Sequence, residues 1–484
     1  MLERLLRDSA IYSLAALLSR AIGLTLLPVY AFALDPAQFG AFDLVTTLGV
    51  LVALVVPLEV SQGLGRLYSE GDAKRRQGLV NSAWWFTVVM LAAFVMASNL
   101  LAPQIASGLL GSPETTGTVE VAAGYIALNG LFFLAQMQLR WSMRSGRYLA
   151  VNFLYSMAMI VMSVLAVVLF HSGLPGLLAA QSLATALGVT GCIVGSGGIS
   201  IGLSFDRRLL AEMLRYSTPL VPSGVASFAM LYFNRLALAH FGSLSDVAIY
   251  GVANRFGSMI TLLIVGIQGA LMPLVYSHYR SPETPRQIAR LFAGFSALAM
   301  TACLALTVAT PFLVRTFAGT RYLASVPLVA LLSPALLLSQ MYIFAPGIAI
   351  AKKTYTQLTI VGISGAVSVS ANIVLVPPMG SMGAAIATLV SSATMFVLWA
   401  YVSQRHYPVP FAWPALGISS TGFIAALVGS QLAEHHLRSS WAALLTGALL
   451  TIAFLVVLTR SRLVNLRDVK TVGLLLLSAR TLRR

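Results

Sequence analysis

Residues 9–69 read SAIYSLAALLSRAIGLTLLPVYAFALDPAQFGAFDLVTTLGVLVALVVPLEVSQGLGRLYS, two apolar runs joined by one short polar turn. Each run exceeds the roughly 20 residues a helix needs to cross hydrocarbon. The turn holds Asp35-Pro36, a capping side chain followed by the residue best suited to the first position of a helix. The stretch therefore reads as a transmembrane hairpin. Its first run is too long for a signal-peptide core and shows no convincing small-residue cleavage site before Asp35, so it is expected to stay in the membrane.

The same pattern recurs to the end of the chain. Fourteen spans are predicted, at 9–34, 38–69, 79–102, 119–139, 148–170, 174–199, 214–241, 245–279, 288–316, 322–350, 354–376, 380–403, 412–433 and 440–460. They consume nearly all 484 residues, 58% of them hydrophobic and 10% charged, and leave no polar block able to fold as a soluble domain. Fifteen of the 31 Lys and Arg lie in connectors after even-numbered spans, nine in the terminal tails and three in the opposite connectors. That asymmetry predicts cytoplasmic termini. It also accounts for the net charge of +16 through contact with anionic headgroups, without nucleic acid. The remaining four basic residues, Arg20, Arg66, Arg235 and Arg255, are embedded within spans. A guanidinium in hydrocarbon is costly enough to mark a route for something charged.

Residues 34–42, LDPAQFGAF, and 242–250, GSLSDVAIY, close two hairpins at an offset of 208. They fall at the second span of two successive groups of six. Two pseudo-symmetric six-helix lobes are expected, 1–205 and 206–403, followed by helices 13 and 14 in 404–460 and an amphipathic tail at 461–484 that lies on the inner surface. The same offset puts Asp43 and Arg255 on faces that share a cleft. Tyr232, Phe233, Tyr250 and Asn254, interleaved with the arginines, are candidate contacts for a polar cargo, and Glu59 and Asp43 are candidate sites for coupling to protons or sodium. Pro28, Pro57, Pro219 and Pro222 interrupt the hairpins that carry these charges, which suits helices that bend in alternating access. No phosphate loop, nucleophile elbow or metal-ligand spacing is present, so neither an enzyme nor a bound cofactor is expected.

The segments Ser19-Arg20-Ala21-Ile22-Gly23, Leu27-Pro28-Val29-Tyr30, Asp35-Pro36 through Phe42-Asp43, and Gly65-Arg66-Leu67-Tyr68 resemble the first hairpin of the bacterial polysaccharide flippases, the Wzx-like O-antigen and capsule transporters. Asn234-Arg235-Leu236 and Ala248 through Arg255 are similar to the family's second-lobe hairpin, with Asn234 where an acidic residue is usual. The resemblance implies the multidrug/oligosaccharidyl-lipid/polysaccharide exporter fold. It also implies a polyprenyl-pyrophosphate-linked oligosaccharide as cargo, a bacterial inner membrane location, and polysaccharide polymerase and chain-length proteins as pathway partners. By similarity to the related lipid II flippases, Arg20 matches a cavity arginine and the last two helices hold the lipid tail. Arg20 and Arg255 are then expected to bind the pyrophosphate, with Arg66 and Arg235 acting at entry and exit. The alternatives are a cation-coupled drug antiporter of the same superfamily and a membrane polymerase or ligase. Embedded arginines outnumber carboxylates, which disfavours the first; the short connector at 103–118, with Glu114 as its acid, disfavours the second.

Overall fold

A computed structural model of the chain describes residues 22–70, 72–194, 199–264, 267–268, 271, 275, 278–436, 440–461 and 463. Arg20 and nearly all of the expected amphipathic tail lie outside the described residues. Among those described the structure is helical, with no strand. Eleven helices are long and apolar enough to cross a membrane, and Ile22–Ala33 is a shorter apolar one. The longest, Thr354–His406, holds two spans, because Gly380 takes φ 55° and ψ −133° just after Pro377 and Pro378. Together with Val221–Phe241, these segments fall, among the described residues, on each of the fourteen spans expected from the sequence.

The helices that matter below are α1 (Leu27–Ala33), α2 (Pro36–Val55), α3 (Val60–Tyr68), α4 (Ala73–Leu100), α5 (Thr116–Trp141), α6 (Ser145–Val164), α7 (Gly173–Ile193), α8 (Arg207–Ser217), α9 (Val221–Phe241) and α10 (Leu244–Ser258). Later come α11 (Thr284–Phe317), α12 (Val326–Leu338), α13 (Thr354–His406), α14 (Trp413–His436) and α15 (Ser440–Arg460).

Local chemistry sets the boundaries. Asp35 accepts a hydrogen bond from the Gln38 amide at 2.7 Å and caps α2, with Pro36 next in line. Ser243 and Asp246 form a reciprocal capping box at α10: the Ser243 hydroxyl accepts from the Asp246 amide, and the Asp246 carboxylate accepts from the Ser243 amide, both at 3.1 Å. Asp35 and Ser243 are themselves 208 residues apart. The repeat seen in the sequence is thus a repeat of helix starts, and the matched Phe39 and Val247 are both fully buried. Pro57 lacks the amide hydrogen a continuous helix would need, and span two breaks there into α2 and α3. Leu58 and Glu59 carry the break in left-handed conformations, φ 50° and 53°. Span seven likewise begins with the separate helix α8, capped by Asp206, and resumes as α9 after Pro219.

Close packing divides the chain into two compact units, Met1–Val252 with Ser368–Ala384, and Ala253–Val367 with Ala385–Arg484. In the first, Val60, Leu64, Leu79, Phe132, Leu139 and Met213 form a core that joins α3, α4, α5 and α8. In the second, Phe292, Phe295, Phe344, Phe411, Phe423 and Phe454 belong to one core that ties α11 to α14 and α15. Here the Trp399 indole donates to the Ala345 carbonyl at 3.1 Å, and the Gly347 amide donates to the Ser403 hydroxyl at 2.7 Å. Large apolar side chains such as Leu100, Phe170, Trp441 and Leu449 remain exposed on the helices. Water would not tolerate so many; lipid is their solvent.

Candidate functional site

Two charges of the first unit, Asp43 and Arg235, meet where α2 packs against α9. The Arg235 side chain donates from Nε to Oδ2 of Asp43 at 2.6 Å, and both side chains are buried, 7% and 6% exposed. Two aromatic faces complete the guanidinium's surroundings, with ring centres of Tyr232 and Tyr250 at 5.7 and 5.4 Å. A desolvated cation is tolerable only with such a hydrogen-bonded counter-charge, and the aromatic quadrupoles add to it. The Asn234 amide donates to the Tyr250 hydroxyl at 2.6 Å, so the residue standing where an acid is usual holds the ring that lies by Arg235. Asp43 is seven residues into α2 from its first residue and Arg235 six from the end of α9, so the pair sits about 10 Å from the same end of both helices.

The sequence places Asp43 and Arg255 on faces expected to share a cleft, and the two fall in different compact units. The cation bonded to Asp43 is Arg235, because α9 is the helix that lies on α2: a Cβ on Gly224 would come within 2.4 Å of the Leu54 side chain. Arg255, in the second unit, is half-buried, with its carbonyl accepting from the Ser258 hydroxyl at 2.8 Å. Arg66 is exposed, in the last turn of α3, and is paired with Glu70 one turn on. A cation near a helix C-terminus is favoured by the dipole there. Of the residues expected to touch a polar cargo, Tyr250 is fully buried. Tyr232 is half-buried and stacked on Phe228 at 5.4 Å, and Phe233 and Asn254 are half-buried.

A cavity of about 480 Å³ lies inside the first unit, its lining beginning at Thr46, one turn along α2 from Asp43. Thr46 and Ala53 of α2, Asn129 and Gln136 of α5, Asn152 and Tyr155 of α6, and Glu59 and Gln62 at the Pro57 break all face it. Glu59 reaches this wall because the two left-handed residues after Pro57 redirect the chain. The Gln136 amide donates to Asn152 at 3.1 Å and ties α5 to α6. This polar lining escaped the sequence reading, which followed charges. The available signal was Asn129 and Gln136, two turns apart in an apolar run, with Asn152 in the next. Among the described residues no group of three His, Cys, Asp or Glu is placed to hold a metal ion.

Comparison with known proteins follows the same division between fold and family. The fold is similar to that of the lipid II flippase MurJ in an inward closed conformation, with a TM-score of 0.73 at 15% identity, over 94% of this chain and all of that one. An inward-facing multidrug resistance MATE family transporter matches with a TM-score of 0.65 at 13% identity, over 81% of this chain and 94% of that one. A MOP superfamily transporter from Pyrococcus furiosus gives 0.57 at 16% identity, over 83% and 95%. No curated protein matches. The family model of polysaccharide biosynthesis proteins matches residues 5–279, more than half of the 484 residues, and the chain belongs to that family.

Proposed function

We propose that this chain is a flippase that turns a polyprenyl pyrophosphate carrying an oligosaccharide from the inner to the outer leaflet of a bacterial plasma membrane, for surface polysaccharides such as O-antigen or capsule. The observation that carries the reading is a family sequence of polysaccharide biosynthesis on the fold of a lipid II flippase, with guanidinium groups at membrane depth. A pyrophosphate is the anion such groups bind best, through charge-assisted and often bidentate hydrogen bonds. In this reading Arg20 and Arg255 hold the pyrophosphate, and Arg66 and Arg235 serve at entry and exit. The Asp43 carboxylate keeps Arg235 neutralised between cargoes; an arriving pyrophosphate competes for the same guanidinium and loosens the α2–α9 contact. Proton or sodium coupling through Glu59 would supply the direction, and polymerase and chain-length proteins would take up the product.

The test is the leaflet distribution of polyprenyl-linked oligosaccharide in cells with and without the protein, read with a membrane-impermeant sugar-modifying reagent and mass spectrometry. Loss of the protein should trap the intermediate on the inner leaflet, and Arg20→Ala should do the same at unchanged protein level. Normal outward transfer in a strain with no redundant flippase would overturn the reading. The MATE-like fold favours a second reading, export of a drug or other small molecule in exchange for a cation. Drug-resistance profiling of the same strains separates the two, since an exporter of that kind changes sensitivity without moving lipid-linked sugar.

A further inference from the structure

We infer that the cavity among α2, α5 and α6 is a saccharide subsite, built for uncharged sugars next to the pyrophosphate; this rests on the flippase reading and names the part of the cargo that reading leaves without a place. Its lining differs in kind from the neighbouring ion pair. Carboxamides Gln62, Asn129, Gln136 and Asn152 and the phenols of Tyr125 and Tyr155 reach it, with Glu59 the one ionisable carboxyl among its lining residues. Each carboxamide offers two donors and a carbonyl acceptor, the pattern that matches vicinal hydroxyls and acetamido groups. The fold uses part of this capacity: Asn129 donates to the Tyr125 carbonyl at 2.9 Å, Asn152 to the Tyr148 carbonyl at 2.8 Å, Gln136 to Asn152 at 3.1 Å, and Gln62 is bonded to Glu59. One amide between helices would be ordinary interhelical glue. Four around one cavity, on three helices, describe a site with convergent polar groups.

Aromatic surface supplies the other half of carbohydrate recognition, an apolar face for the C–H side of a sugar ring. Phe133 and Tyr155 line the cavity, and Phe132 packs against Tyr155 with ring centres 4.4 Å apart, fixing that wall. A volume of about 480 Å³ lies within the roughly 300–1,000 Å³ of small-molecule sites and holds a short saccharide. Position completes the argument. Thr46 lines the cavity and donates its hydroxyl to the Asp43 carbonyl at 2.9 Å, so the sugar site begins one helical turn from the carboxylate bonded to Arg235. In the proposed cargo the first sugar is bonded directly to the pyrophosphate, so an anion passing Arg235 on entry or exit brings that sugar to the cavity. When ionised, the Glu59 carboxylate would repel uronates and other acidic sugars, which restricts loading of the subsite in that state to neutral ones.

The full chain in lipid nanodiscs can be tested against two probes: undecaprenyl pyrophosphate, and the lipid-linked oligosaccharide extracted from cells lacking the protein. The readout is the ratio of their affinities by native mass spectrometry. Wild type should hold the glycosylated lipid about tenfold or more tighter, and Asn129→Leu with Gln136→Leu should bring the ratio near one. Because a misfolded variant loses both lipids together, the near-isosteric Asn129→Asp with Gln136→Glu is measured alongside. It should also lose the ratio, by giving up amide donors while retaining shape. An unchanged ratio in a folded variant of either kind, or equal binding of the two probes by wild type, would overturn the subsite while leaving a flippase in place. Failure of wild type to bind either lipid would instead remove the flippase reading itself. An acidic sugar next to the pyrophosphate in the extracted lipid would overturn the restriction to neutral sugars.

Discussion

Arg235 shows how much one embedded charge determines. Its hydrogen bond to Asp43 spans 192 residues of sequence, and both partners are out of solvent. Removing one member of such a pair leaves the other buried and uncompensated, a loss of about 3–5 kcal/mol in soluble proteins. Asp43→Asn should therefore lower the melting temperature of the purified protein clearly, and the double change Asp43→Asn with Arg235→Gln should recover most of the loss. Export then separates structure from function. If Arg235 takes part in moving the pyrophosphate, the double variant is stable but inactive; a stable and active one would make the pair purely structural. The sequence revealed that these residues were embedded and charged, but not that they were partners. An offset of 208 aligns positions on equivalent helices, whereas pairing depends on which helix lies against which, information held in small residues such as Gly224. Arg255 was legible as an embedded cation, and it lies in the other compact unit from Asp43.

Among the elements, the hairpin turns were the most legible parts, because Asp35-Pro36 and Ser243 with Asp246 cap helices by local rules that need no tertiary context. The break at Pro57 was legible too, as a missing donor. What the break does was not: two consecutive left-handed residues, each at a cost of roughly 1–3 kcal/mol, turn Glu59 to the cavity wall, and no periodicity on a straight helix anticipates that. The amides of the cavity were overlooked for a related reason, since an Asn in an apolar run looks the same whether it glues helices or faces a hollow. Gly40 offers a test at this scale. A Cβ there would lie 1.7 Å from the carbonyl oxygen of Leu244, at the start of α10, so α2 and α10 touch backbone to backbone. Gly40→Ala cannot keep this contact and should push the two hairpins apart. A disulfide-forming cysteine pair placed across the contact should cross-link readily in the parent and about tenfold more slowly in Gly40→Ala, a shift of about 1.4 kcal/mol. Equal cross-linking would mean that the contact contributes nothing to holding α2 against α10.

For the molecule as a whole, direction is the property on which the function depends, and it follows from charge alone. The helices fix an alternating path through the membrane, and two mirror assignments of inside and outside satisfy the same fold. The basic residues break that tie: connectors after even-numbered spans and the two tails hold 24 of the 31 Lys and Arg, against three in the opposite connectors. Translocating such connectors against the membrane potential and away from anionic lipid is unfavourable, so they should remain in the cytoplasm. Cys192 and Cys303 are both buried, so a parent with serine at each gives a clean background for labelling. In that parent, Ser112→Cys lies between spans three and four and Ser281→Cys between spans eight and nine. An impermeant maleimide should label Ser112→Cys in intact spheroplasts and reach Ser281→Cys only after permeabilisation. The reverse pattern would put the Asp43–Arg235 end of the helices on the cytoplasmic side. A flippase oriented that way would collect its substrate from the wrong leaflet, so this one labelling experiment bears on the direction of transport as directly as on topology.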